Sequence, residues 1–193
     1  ITNSRIVTMI EYFDRHSILS NYADIPVYVV GVKYKTAEHA FQAMKAMHFH
    51  DIQTATKIFF ADTSTRAHRL GCRVKGFCPK EWARVCNGIM DQVLTSKVRH
   101  PAIEHYLCNK LSPRTTSFVY ADPYDTYWGC GQSKEDVERA GFLDLGNDYL
   151  GKWYTEYYLC ILRSTAPFDD DSCSSLDMEM SSIDLEDLDD LIS

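Results

Sequence analysis

Hydrophobic positions along this chain change period several times, and the changes outline its elements. Residues 5–13 crowd β-branched and aromatic side chains together and predict a strand. Residues 27–34 predict a second, with Gly31 at a turn or bulge. That strand runs into an amphipathic helix capped by Thr36, with Ala37, Phe41, Met44 and Met47 as its apolar stripe. Further helices are predicted over 51–60, over 65–70 with Gly71 as the stop, over 79–97 with Pro79 in the first turn, and over 101–110. Residues 116–120 predict a third strand, and 152–162 a last helix. Two glycine-punctuated loops, 121–131 and 141–151, separate these last two elements.

The first helix carries a second pattern beside its apolar stripe. Glu38, Gln42 and Lys45 lie at i, i+4 and i+7, so an acid, an amide and a base share one line. Such a line is either a solvated face or the wall of a polar cleft. Pattern alone favours the solvated face, because charge runs usually meet water. Asn21 and Asp125 have the same double reading, as turn residues bonded to their own backbone or as ligand contacts. Trp82 reads by default as a core aromatic, and otherwise as a stacking platform at a pocket edge. In the 121–131 loop, Gly129 and Gly131 permit close approaches that would bring Asp125 and Trp128 against a ligand.

Composition adds bounds. A chain of 193 residues with 45% hydrophobic and 24% charged content supports one good-sized core. Residues 1–164 are expected to form that single domain, and 165–193 an acidic tail. The net charge of −7 misleads, because ten of the 27 acids and none of the 20 bases follow Arg163. The body therefore has 20 bases against 17 acids, a mildly basic surface suited to phosphate-bearing ligands. Ile183, Leu185, Leu188 and Leu191 recur among the tail's acids, a pattern that can fold on a protein partner. No apolar run reaches the roughly 18–20 residues of a membrane span, and no signal-type segment opens the chain. Seven cysteines without a CxxC pair read as reduced, mostly buried thiols in a cytoplasmic or nuclear protein. Cys72, Cys78 and Cys86 lack zinc spacing, and His48 and His50 lack partners, so no metal site is expected.

Four blocks resemble the YbiA-like, or NADAR, domains, over roughly residues 6–163. They are Ser20-Asn21-Tyr22; Tyr34-x-Thr36-x-Glu38-His39-x-Phe41-Gln42-Ala43-x-Lys45; Trp82 with Met90 and Lys97; and Asp125-x-x-Trp128-Gly129-x-Gly131 with Leu150-Gly151. The resemblance implies a compact α+β domain, mostly helical around a small β-sheet. It implies an N-glycosidase with no metal or cofactor. Its substrate would be a ribosylamino-pyrimidine of riboflavin synthesis or an ADP-ribosylated guanine base. Glu38 and Asp125 would then be the catalytic carboxylates. Asn21, Gln42, Lys45, Trp82, Trp128, Gly129 and Gly131 would bind substrate, with Arg69 or Arg73 as outer phosphate contacts. The sequence departs from the family's pattern at four places: Tyr120 stands for an acid, Cys86 for a base, Asp148 for an asparagine and Tyr158 for an arginine. Those departures sustain an alternative, a catalytically weakened module that binds ADP-ribose or a nucleotide while the tail recruits a partner.

Overall fold

The computed structural model describes residues 9–111, 115–140 and 146–165. The acidic segment expected after Thr165, and the first part of the first predicted strand, lie outside them. Strand β1 (Met9–Phe13) pairs in parallel with β4 (Thr115–Tyr120), and β2 (Val27–Val29) pairs antiparallel with β3 (Val32–Tyr34). Among the described residues the small sheet is thus two separate strand pairs in an otherwise helical α+β domain. The single strand predicted over 27–34 is this hairpin. Val30 and Gly31 both take positive φ, 49° and 73°, which is the two-residue turn geometry that matches strand twist.

Helix α1 (Ala37–His48) lies at the centre, packed by α2 (Ile52–Phe59), α3 (Ser64–Gly71) and α4 (Pro79–Val98). Its cap is the predicted one, with Thr36 Oγ1 accepting from His39 N–H. Asp51 and Thr63 cap α2 and α3 in the same way, and Pro79 opens α4. The helix predicted over 101–110 divides into α5 (Pro101–His105) and a π-helical turn (Tyr106–Lys110). Helix α6 (Lys134–Ala140) had no apolar stripe to announce it. Its start is set by Ser133, whose Oγ accepts from Asp136 N–H. The last helix, α7 (Tyr149–Thr165), packs on β4 and begins earlier than its apolar pattern indicated. Side chains such as Leu19, Ile58, Met90, Leu94, Ile103 and Tyr154 are fully buried between these layers, each contributing roughly 1.5–3 kcal/mol. The thiols differ from expectation: Cys86 and Cys130 are buried, but Cys72, Cys78, Cys108 and Cys160 are exposed.

The parallel pairing has a topological consequence. Phe13 and Tyr120 are in register at the C-terminal ends of β1 and β4, and Ala121 N–H extends the ladder to Phe13 O. The loops that follow the two strands therefore leave from one edge. One carries Asn21 and Tyr22; the other carries Asp125 and Trp128. The N-terminus of α1 meets the first of them, because Glu38 N–H, an unpaired donor of the first turn, donates to Asn21 O at 2.9 Å.

Asp148 fixes the start of α7. It sits at φ 44°, is 4% exposed, and its Oδ1 accepts from Tyr120 N–H and Gly151 N–H. Burial pushes its carboxyl up to about 6 from 3.8. The folded chain then holds a proton that the unfolded chain releases, so stability declines as pH rises from about 4 to about 6. Asp148→Asn keeps the acceptor, tolerates positive φ and removes the charge. It is expected to stabilise the fold at pH 7 by on the order of 2–3 kcal/mol and to give no gain below pH 4. Thermal melts of both proteins across that range check this; an equal difference at every pH would contradict it.

Candidate active site

Where the two loops meet α1 there is a hollow of about 60 Å³, lined by Asn21, Glu38, Gln42, Asp125 and Trp128 together with Tyr22, Phe41, His68, Met90, Tyr120 and Leu150. By volume it holds a few waters or the edge of one sugar ring. A larger groove of about 550 Å³ lies between the hairpin and α4, lined among others by Tyr28, Val30, Asp91 and Arg99. The smaller hollow is the chemically richer one. It joins two carboxylates, two amides, an imidazole and four aromatic rings.

Glu38 forms its floor. The residue is 5% exposed, which reverses the reading of a solvated face. Its Oε1 accepts from Gln42 Nε2 at 2.9 Å and from His68 Nδ1 at 2.8 Å. A carboxylate only accepts, so the amide nitrogen and a ring N–H must face it. Gln42 Oε1 is then left buried without a donor, as is Asn21 Oδ1, whose amide nitrogen contacts Met90 Sδ at 3.4 Å. Buried orphan acceptors are rare, and a cleft wall is where they have a use.

Gln42 can lie here because residue 71 is glycine: a Cβ at Gly71 would overlap Gln42 Oε1. Gly71→Ala is therefore expected to swing Gln42 off Glu38 while leaving α3 intact. Losing one charge-assisted bond at this carboxylate should slow turnover about tenfold. Unchanged turnover in that variant would contradict a role for the Gln42–Glu38 contact.

The second wall is built by a ladder. Residues 126–130 pair with 146–150, through Asp148 N–H to Gly129 O and Leu150 N–H to Trp128 O among others. Gly129 and Gly131 serve this packing and do not line the hollow. A Cβ at Gly129 would press on Asp125 O and Tyr120, and Gly131 has φ 74°. Asp125 Oδ1 accepts from Tyr127 N–H and Trp128 N–H, so the turn reading holds for that oxygen. Tyr127 Oη donates to Asn87 and Tyr149 Oη to Asp91, fastening the ladder to α4. Trp128 stands edge-on to Phe41, Tyr127 and Tyr149.

Lys45 and Trp82 lie outside the lining. Lys45 Nζ stands over Phe77 at 4.3 Å, where burial lowers its pKa, and Trp82 packs on Phe41. Arg69 and Arg73 are exposed. Lys97 is fully buried beneath the 19–22 loop and donates to Leu19 O and Ser20 O, with its amine pushed well below its usual range by burial. At the rim, Arg15 lies over the Tyr22 ring at 4.1 Å and donates to Thr65. Burial, and then the nearby Glu38 charge, raise the Tyr22 phenol, which keeps it a donor. Among the described residues no group of three metal-ligating side chains occurs, and no helix is long and apolar enough to cross a membrane. His48 faces Glu81 at 3.0 Å.

Sequence reasoning missed His68. It sits in a run of arginines that read as a solvated surface, and only the folding of α3 against α1 brings it to Glu38. Tyr22 and Met90 stood in the quoted blocks without an assigned role.

The helical α+β domain thus brings Glu38 and Asp125 to one narrow hollow. The NADAR domain model matches residues 9–157, and the chain belongs to that family. Two of its relatives are the N-glycosidase YbiA of Shigella sonnei and that of Escherichia coli K12. Each is 27% identical over 143 residues, covering 74% of this chain and 86% of the relative. An N-glycosidase of Nostoc punctiforme is 26% identical over 127 residues, 65% of this chain and 80% of its own. The solved NMR structure of the Escherichia coli protein YbiA superimposes with a TM-score of 0.54 at 25% identity, over 83% of this chain and 88% of that one.

Proposed function

We propose that this protein is an N-glycosidase that hydrolyses the bond between a ribosyl carbon and a nitrogen base. Its substrate is an ADP-ribosylated guanine base or a ribosylamino-pyrimidine. The observation that carries the reading is the buried Glu38 carboxylate, sharing one hollow with Asp125, Asn21 and Gln42. Scission of a ribosyl C–N bond passes through an oxocarbenium-like state with positive charge at the anomeric carbon. A fixed carboxylate in a site shielded from water stabilises that charge most effectively. In this reading Glu38 faces the anomeric carbon and activates water. Asp125 and Asn21 take the sugar hydroxyls, one of which donates to Asn21 Oδ1, an acceptor that otherwise has no partner. Trp128 and Tyr22 flank the base at the mouth, and Arg15 is placed for a phosphate. The names of the relatives support the reaction class.

The binding-module alternative draws on Tyr120. Its hydroxyl donates to Asp122 and brings no carboxylate to the wall where an acid was expected. Incubation with each of the two adducts separates the readings. The glycosidase releases free base. Saturable ADP-ribose binding with no base from either adduct would replace it with the binding module.

A further inference from the structure

Resting on that reading, the geometry points to His68 as the group that protonates the departing nitrogen, leaving Asp125 to hold the sugar. We propose that Glu38 and His68 act as a dyad, one face stabilising the cation and the other supplying the proton. Four observations meet here. His68 lines the same hollow as Glu38, and its Nδ1 is 2.8 Å from Glu38 Oε1. Because that carboxylate only accepts, Nδ1 carries its hydrogen and Nε2 is the nitrogen free to give one up. Nε2 has no hydrogen-bond partner among the described residues, and the side chain is 47% exposed at the mouth, where a base would sit. Finally, Asp125 Oδ1 is already engaged by two backbone N–H groups.

The charges around the ring suit the task. Glu38 favours the imidazolium through its hydrogen bond, while burial, Arg15 and Lys45 oppose it, and the net direction is upward from 6.5. Tyr22 from the β1 loop, 6.1 Å away ring to ring, stays protonated, and Asp125 and Tyr120 face the dyad across the hollow. Histidine is the side chain most often used to hand a proton to a reacting group.

The step balances. The C–N bond breaks and its electron pair goes to nitrogen, which takes the proton from His68 Nε2. Water adds its oxygen to the anomeric carbon and gives a proton to the second oxygen of Glu38. The products are free base and free sugar, with one water consumed. Solvent then returns a proton to His68 and removes one from Glu38.

The test is base release as a function of pH for the wild type, His68→Gln and His68→Lys, each on an adduct with a basic leaving nitrogen and on 4-nitrophenyl riboside, whose leaving group needs no proton. The expected result is a wild-type kcat that falls on the alkaline side. In His68→Gln, kcat on the nitrogen adduct drops about 10²–10³-fold and the alkaline limb disappears, while the nitrophenyl substrate loses only a few-fold. His68→Lys moves the limb to higher pH. An unaltered limb in His68→Gln, or equal losses on both substrates, would overturn the assignment while leaving the glycosidase reading intact. No base release by the wild type from any adduct would overturn both.

Discussion

Glu38→Gln is expected to lower the rate of base release by about 10²–10⁴-fold, while the affinity for uncleaved substrate stays within a few-fold. The size follows from what the side chain does. In the wild type one oxygen accepts from both Gln42 and His68, which leaves the other for the reacting carbon and its water. An amide at this position must spend its single oxygen on those two donors, and its NH₂ then faces the hollow. A donor there neither stabilises a developing cation nor takes a proton from water. The hollow itself survives, since Gln is isosteric with Glu, so binding persists. Steady-state kinetics with a direct binding titration check both halves. A variant with normal kcat would show that another group supports the cation.

Lys97→Ala is expected to cost about 3 kcal/mol, because it removes a fully buried side chain beneath the Asn21 loop. In a domain of this size that lowers Tm by roughly 6–12 °C. Lys97→Met separates packing from hydrogen bonding. It keeps the volume, and each carbonyl retains another donor, Tyr154 Oη on Leu19 O and Ala23 N–H on Ser20 O. It also removes the cost of burying an amine. Most of the lost stability should therefore return. A melt of the methionine variant as low as that of the alanine variant would mean that the amine, rather than its volume, holds the loop.

What the chain revealed of itself depended on the range of the interaction. Thr36, Asp51, Thr63 and Pro79 are local signals, satisfied within a turn, and the helices they open lie where their spacing indicated. Gly31 marked a turn or bulge, and the structure makes it, with Val30, the turn of a hairpin where one strand was read. Glu38 and Gln42 show the limit more clearly. Their spacing proved that they share a face, but whether the face meets water depends on α3 and on the Asn21 loop. Those contacts lie far away in sequence. The Asp125 and Gly129 motif was legible as special, yet its glycines serve loop packing, a distinction visible only once Tyr120 is seen against Gly129 and Thr126 against Gly131. His68 carried no local signal, since a histidine among arginines looks the same whether it faces solvent or a carboxylate. The paired strands β1 and β4 sit about a hundred positions apart, and the convergence of their loops is a property of topology alone.

The central claim is that one narrow hollow holds a sugar against residue 38. The most direct measurement is a crystal structure of the Glu38→Gln protein soaked with an uncleaved ribosyl adduct. The account predicts the anomeric carbon about 3–3.5 Å from the residue 38 side chain, with Asn21 Oδ1 accepting from a ribose hydroxyl. A ligand seated in the groove between the hairpin and α4, with the hollow at residue 38 holding only water, would contradict it.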